Sequence, residues 1–269
     1  MRIMSARNIH DLLSETFSVY ASSFRDFVAV AAVVHIPVAL VTLGVSISFP
    51  QTSTLALLLT SIISMYGVTL GYAAGVHGVC LHYLGGDVDL GKCYTKSVGK
   101  AKTLAVFTGL LATLLFLPMI LLLQSNGVVV FLAGIITLPV FVLGLYLSFV
   151  VQVAMVEGVT INSALRRSFE LVRGSWWRVF GITVVLFLVV LGVRIVVNIP
   201  FAILFEGLSI EQVSVLNQRL AILVTAISSI IALPVLFIFS TLLYYDLRVR
   251  KEEYSLVDMS SETGIAYNV

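Results

Sequence analysis

Six apolar runs dominate this chain, at 27–47, 55–84, 103–123, 128–156, 179–204 and 220–245. Each reaches the roughly 20 residues that a helix needs to cross the hydrocarbon of a bilayer. Hydrocarbon offers no water to a free backbone amide, so a spanning segment outside a closed barrel must be helical. The rest of the chain cannot build a water-facing surface. Only 11% of its 269 residues are charged, against about 25% in a soluble domain. The runs predict an all-α membrane protein with six transmembrane helices. Residues 1–26 carry Arg2, Arg7, Asp11, Glu15, Arg25 and Asp26 with no apolar stretch among them, so no cleavable signal peptide is expected there.

The charges that remain are placed unevenly. Fourteen of the sixteen Lys and Arg residues fall at one end of the expected bundle. Arg2, Arg7 and Arg25 precede or open the first run, and Lys92, Lys96, Lys100 and Lys102 lie between runs two and three. Arg166, Arg167, Arg173 and Arg178 lie between runs four and five, and Arg248, Arg250 and Lys251 follow run six. The opposite loops, near 48–54, 124–127 and 205–219, hold Arg219 alone, and Arg194 sits inside run five. Short basic loops stay in the cytoplasm. The chain is therefore expected in the cytoplasmic membrane as a multi-pass protein with both termini inside. Cys80 and Cys93 fall at that end and read as two reduced thiols.

The stretch 157–181 interrupts the oily pattern with a charged segment. Ile161, Leu165, Phe169, Val172 and Trp176 recur at helical spacing, while Arg166, Arg167, Glu170 and Arg173 take the other side. Thr160 is the expected N-cap. Such a helix lies in a membrane interface with its apolar side down and its arginines toward lipid phosphates. Trp176 and Trp177 then mark the headgroup level, with Arg178 beside them.

Related patterns occur twice more. Ile9, Leu13, Thr16, Phe17, Val19, Ser23 and Phe24 overlay residues 152 positions later, and Leu90, Tyr94, Lys96, Ser97 and Val98 overlay residues 71 positions later. Pro37 and Pro118 keep the register between the first two copies. Runs four and six share IITLPVFVLG and IIALPVLFIF, and run two reads IISMYGVTLG. These matches predict three parallel tandem repeats, about 8–84, 88–156 and 159–247. Each is an interfacial amphipathic helix followed by a two-helix hairpin, and the copies are set about a pseudo-threefold axis along the membrane normal. Residues 1–252 form one membrane domain in this reading, and 253–269 a polar cytoplasmic tail.

Two motifs carry a resemblance to a family. One runs from Glu157 and includes LRRSFELVRGSWWRVFG; the other is YYDLRVRKE from Tyr244 to Glu252. Together they resemble the bacterial and archaeal membrane proteins related to the membrane domain of glycerophosphoryl diester phosphodiesterases. The resemblance is sharpest over 155–252. It implies a polytopic fold and a loose link to lipid metabolism. In fused members of that family the chemistry belongs to a separate soluble barrel, so no catalytic residue carries over.

Ionisable and polar residues at membrane depth are functional candidates by default. His35 falls about 16 Å past Phe24, and Arg194 roughly 25 Å past Trp177. His35 is expected as a hydrogen-bonded histidine between helices beside Pro37, Arg194 as a side chain snorkelling to the outer interface. Asn198 completes this thin polar set. His77 and His82 stand five apart, which points their rings away from each other, unlike the four-residue spacing of zinc-binding helices. No metal site, cofactor or catalytic set is read from the sequence. Gly67, Gly71 and Gly75 form a stripe that lets another helix approach. Glu157 and Asp246, near Arg248, are expected to make ion pairs that tie the helices at the inner face.

The functional expectation is a non-enzymatic membrane protein, a scaffold or accessory factor. It would meet anionic lipids through Lys96, Lys100, Arg166, Arg167, Arg173 and Arg178, and no nucleic acid. The alternative is a transporter or lipid translocator with a path along the pseudo-threefold axis. Prolines in odd-numbered runs are similar to those of three-repeat mitochondrial carriers. Here, though, Pro37 is followed by Val-Ala-Leu and Pro118 by Met-Ile-Leu, so the charged gate motif of carriers is absent.

Overall fold

A computed structural model describes residues 7–48, 54–122, 127–206 and 214–266. The expected outer loops fall largely outside the described residues, as do Arg2 and the side chain of Pro118. The described residues form helices joined by turns, with no strand among them. In chain order these are α1 (Ile9–Ser22), α2 (Phe24–Ser48), α3 (Thr54–Tyr83), α4 (Leu90–Gly99), α5 (Ala101–Leu122), α6 (Gly127–Tyr146), α7 (Val150–Val156), α8 (Ile161–Val172), α9 (Trp176–Glu206), α10 (Ser214–Glu252) and α11 (Leu256–Thr263).

Five segments are long and apolar enough to cross a membrane: α2, most of α3, α6 with α7, α9, and α10 from Arg219 onward. The third expected run falls on α5, which meets α4 at 71°, and that bent pair makes a sixth candidate. The expected run at 128–156 is broken at 147–149, where α6 stops and the seven-residue α7 begins. The last run is longer than expected, because α10 continues to Glu252. A charged extension of nearly two turns persists there because tertiary ion pairs hold it.

Helices α2 and α3, α5 and α6, and α9 and α10 pack as neighbours, and α10 also lies against α1, α2 and α3. The interior is thickest at the end bearing the short helices. There α3 buries Ala73, Ala74, Val76, Val79, Cys80 and Leu84, and α7 buries every residue from Val150 to Val156. Alongside them α10 buries Phe237, Phe239, Leu243, Tyr244 and Tyr245. The glycine stripe works as expected. A Cβ on Gly67 would lie 2.9 Å from the Val38 methyl of α2, and one on Gly75 would strike the Phe237 ring of α10. Away from this end the long helices leave Val33, Leu40, Phe131, Leu138, Phe187 and Val196 exposed, the surface that a lipid solvent covers.

The short helices form where expected. On α8 the protein-facing residues are Ala164, Ser168, Leu171 and Val172. Phe169, on the apolar side expected to face the membrane interface, is 45% exposed and stacks on Tyr146. Small side chains let the helix lie close on its neighbours, so Ala164 and Ser168 take the contact and the bulky Phe169 stays outside. Thr160 occupies the N-cap position, although its hydroxyl lies 3.4 Å from the Ser163 hydroxyl and caps no amide. After α8, Gly174 adopts φ +83°, a left-handed conformation costly for a residue with a Cβ. That turn feeds the chain directly into α9.

Residues expected to form a polar tail pack back on the bundle. Ser255 starts α11, its backbone N–H donating to the Asp258 carboxylate at 2.9 Å. Tyr254, Leu256 and Met259 are buried. Arg7 and α11 both pack at the end that carries the short helices, so the two described ends of the chain share one side of the bundle.

Candidate functional site

The inner-face candidates resolve into two charged knots. The first is built around Asp246, which is fully buried near the end of α10. Its carboxylate accepts the Arg7 backbone N–H at 2.7 Å, the Arg178 guanidinium at 2.9 Å and the Arg250 guanidinium at 3.0 Å. Arg178 and Arg250 also donate to the Arg7 carbonyl, at 2.6 and 2.9 Å. Arg7 in turn reaches Glu15 of α1 at 2.8 Å. One carboxylate thereby fastens the N-terminal segment, the start of α9 and the end of α10. A buried carboxylate is tolerable only when so many donors surround it.

The second knot surrounds Arg248. Its guanidinium forks onto both oxygens of Glu262 at 2.6 and 2.9 Å and donates to Glu252 at 2.9 Å. It also lies 3.8 Å above the centre of the Tyr254 ring. Glu157 stands 3.7 Å from Arg248, accepts the Tyr244 hydroxyl at 2.9 Å and accepts Arg167 at 3.1 Å. Arg167 closes the ring by reaching Glu252 at 2.5 Å. Burial works against the charged form of Arg167, but the adjacent Glu157 and Glu252 outweigh it and hold its pKa above the ordinary value. Burial, then the neighbouring Glu262, push the Tyr254 phenol well above its ordinary value, so it remains a neutral donor to that carboxylate. Lys251 adds a clamp, donating to the carbonyls of Glu170, Leu171 and Arg173 at the end of α8, at 3.1, 2.7 and 2.7 Å.

These contacts divide the expected lipid-facing cations into two groups. Arg167 and Arg178 pair with Glu157, Glu252 and Asp246 and keep about a quarter of their side-chain surface exposed, 28% and 29%. Arg166 stays exposed with an i, i+4 partner in Glu170, and Arg173 is exposed. Trp177 is 78% exposed, while Trp176 stacks on Phe180 with centroids 5.3 Å apart. Lys100 donates to the Gly158 carbonyl, and Lys96 lines a cleft beside α4.

The polar residues at membrane depth form a second, looser constellation. The buried His35 donates through Nδ1 to the Ala31 carbonyl at 3.0 Å, within its own helix rather than between helices. Arg194, expected to snorkel outward, donates across to the Ser229 hydroxyl of α10 at 3.1 Å. Asn198 donates to the Arg194 carbonyl at 2.7 Å and to the Ser228 hydroxyl at 3.1 Å. His35 and Ser229 share a cavity of about 390 Å³, with Thr42, Ser64 and Thr225 on its walls. A third polar set lies deeper, where Gln152 donates to the Tyr72 hydroxyl at 2.6 Å and Tyr72 meets Ser240 at 2.5 Å.

The sequence reading missed Glu252, Tyr254, Glu262 and Lys251 as members of the knots. The Ser255-Leu-Val-Asp258 spacing is a helix-start signature that flags α11, and with it a place for Glu262. No local signal pairs Arg7 with a residue 239 positions away. Among the described residues no group of three or more His, Cys, Asp and Glu side chains is arranged to hold a metal ion. No family model, no curated protein and no solved structure matches this chain. The family resemblance therefore rests on the motifs quoted from the sequence.

Proposed function

We propose that the protein is a non-enzymatic scaffold or accessory factor of the cytoplasmic membrane. In this reading it is built from three parallel repeats whose short helices lie in the inner interface and hold anionic lipid. The observation that carries it is a matched pattern of burial. At the offsets of 71 and 152 residues, Leu12, Cys93 and Ala164 correspond, and all three are fully buried. Thr16, Ser97 and Ser168 correspond and are also fully buried. Phe17, Val98 and Phe169 correspond as well, and these are 45%, 60% and 45% exposed. Each short helix thus turns corresponding positions onto the protein and leaves an apolar flank uncovered. An uncovered apolar flank next to cations suits the boundary between headgroups and acyl chains. The 71° bend between α4 and α5 suits a helix lying across the direction of the span after it.

Orientation follows the same logic. The basic knots, both described chain ends and the three short helices share one side of the bundle, which the excess of basic residues assigns to the cytoplasm. The packed interior at that end, closed by Gln152, Tyr72 and the aromatic residues of α10, favours a structural role. Exposed Arg166 and Arg173, with Trp177 at the headgroup level, supply the lipid contacts. Each exposed cation near an anionic leaflet contributes about 1 kcal/mol.

The test is lipid enrichment. The protein is reconstituted in nanodiscs of mixed phosphatidylglycerol and phosphatidylcholine, and retained lipid is quantified by mass spectrometry. Enrichment of the anionic lipid that falls in the Arg166→Gln, Arg173→Gln double variant supports the reading, and equal retention of both lipids removes it. The cavity shared by His35 and Ser229 favours the second reading, a lipid translocator. Transbilayer movement of a fluorescent lipid that is lost in His35→Leu would establish that reading instead.

A further inference from the structure

A cleft of about 970 Å³ opens between the end of α3, the turn at 84–89, α4 and the residues after α11. None of the contacts in the two knots lies in it. Lys92, Lys96 and Lys100 line one wall at i, i+4 and i+8, which sets three ammonium groups on the same side of α4. Thr263, Gly264, Ile265 and Ala266 also line the cleft, and so does His77 of α3. His77 is 6% exposed, and its Nδ1 has no hydrogen-bond partner among the described residues. A buried polar atom left unpaired is costly, so its presence in the lining of a cationic cleft points to a ligand.

The charges select the ligand. Asp87 and Asp89 lie at the rim, and Asp89 is engaged as the cap of α4, accepting the Lys92 backbone N–H at 2.7 Å. Lys100 already gives one donor to the Gly158 carbonyl. Lys92 and Lys96 form no ion pair among the described residues. Three ammonium groups repel a divalent cation. They suit a tetrahedral oxyanion, for which lysine acts as a mobile point charge with three donors. The imidazole tautomer that carries its proton on Nδ1 adds a neutral donor. We infer that this cleft binds a phosphate group through Lys92, Lys96 and His77. It is a binding site distinct from the exposed cations of α8, and it does not depend on the scaffold reading.

A phosphate can arrive on a soluble molecule or on a lipid headgroup, and the two are separable. The full-length protein in uncharged detergent is titrated with glycerol 3-phosphate and, separately, with short-chain phosphatidic acid, following thermal stability and heat of binding. Saturable binding of either probe is expected. It should weaken about tenfold on Lys96→Gln and again on Lys92→Gln, as loss of one charge-assisted hydrogen bond each implies. His77→Gln should weaken it too, and Arg166→Gln should leave it unchanged. Lys92 is exposed, so its variant folds even if the His77 variant does not. Binding of glycerol 3-phosphate identifies a soluble ligand, and binding of phosphatidic acid alone identifies a headgroup. No saturable binding of either, or binding that the lysine variants leave intact, overturns the inference.

Discussion

Asp246 ties two distant segments of the chain to the end of α10. Its carboxylate has no exposed surface and holds Arg7, Arg178 and Arg250. Removing one partner of a buried ion pair costs about 3–5 kcal/mol, because the other charges stay behind unpaired. Asp246→Ala should therefore lower the melting temperature in detergent sharply and loosen the N-terminal segment. A variant as stable as the parent would mean that water already screens this site. Lower stakes attach to Asp258, whose carboxyl is held below its ordinary value by the Ser255 hydroxyl, then by the Ser255 backbone N–H. A depressed carboxyl contributes stability above its unfolded pKa of about 4 and loses it as pH falls through the folded value. Amide protection factors across 256–263, taken relative to intrinsic exchange rates, should fall on acidification below about pH 4, and Asp258→Asn should bring the lower protection to neutral pH.

The short helices and the glycine stripe test the element scale. Ser168 accepts the Phe149 backbone N–H at 3.2 Å and donates to the Tyr146 carbonyl at 2.7 Å, so it staples the break between α6 and α7. Ser97 makes one such bond, to the Leu70 carbonyl at 2.9 Å, and Thr16 bonds only within α1. Alanine at Ser168 leaves a buried amide unpaired, at about 1–3 kcal/mol. The ranking in thermal denaturation should run Ser168→Ala, then Ser97→Ala, then Thr16→Ala. An equal cost at all three would contradict the bonding pattern. Gly75→Ala forces a methyl into the Phe237 ring, and overpacking of this kind costs about 1–3 kcal/mol. Shrinking the ring in a Gly75→Ala, Phe237→Leu double variant should recover part of the loss. The glycine stripe was legible because spacing alone puts its residues on one side of a helix. The side of α8 that packs on the protein was not, because small Ala164 and Ser168 make that contact and leave no mark in a hydrophobic pattern.

At the scale of the whole molecule the prediction is topological. Single cysteines placed at Ser260 and near residue 208, in a variant lacking Cys80 and Cys93, should label from opposite sides of sealed vesicles. Labelling of both from the same side would end the two-termini-inside arrangement. Six apolar runs, their helical character and the segregation of fourteen cations to one end were readable from the sequence, since hydropathy, helical period and charge position are local properties. The expectation of lipid as the solvent follows from them without any tertiary information. The tertiary structure alone decided which cations are held in ion pairs, that residues 254–266 fold back as part of the bundle, and that His77 and three lysines line one cleft. Such pairings join segments from 14 to 239 residues apart. They depend on which helices become neighbours, and a one-dimensional pattern of apolar faces fits many arrangements of neighbours equally well.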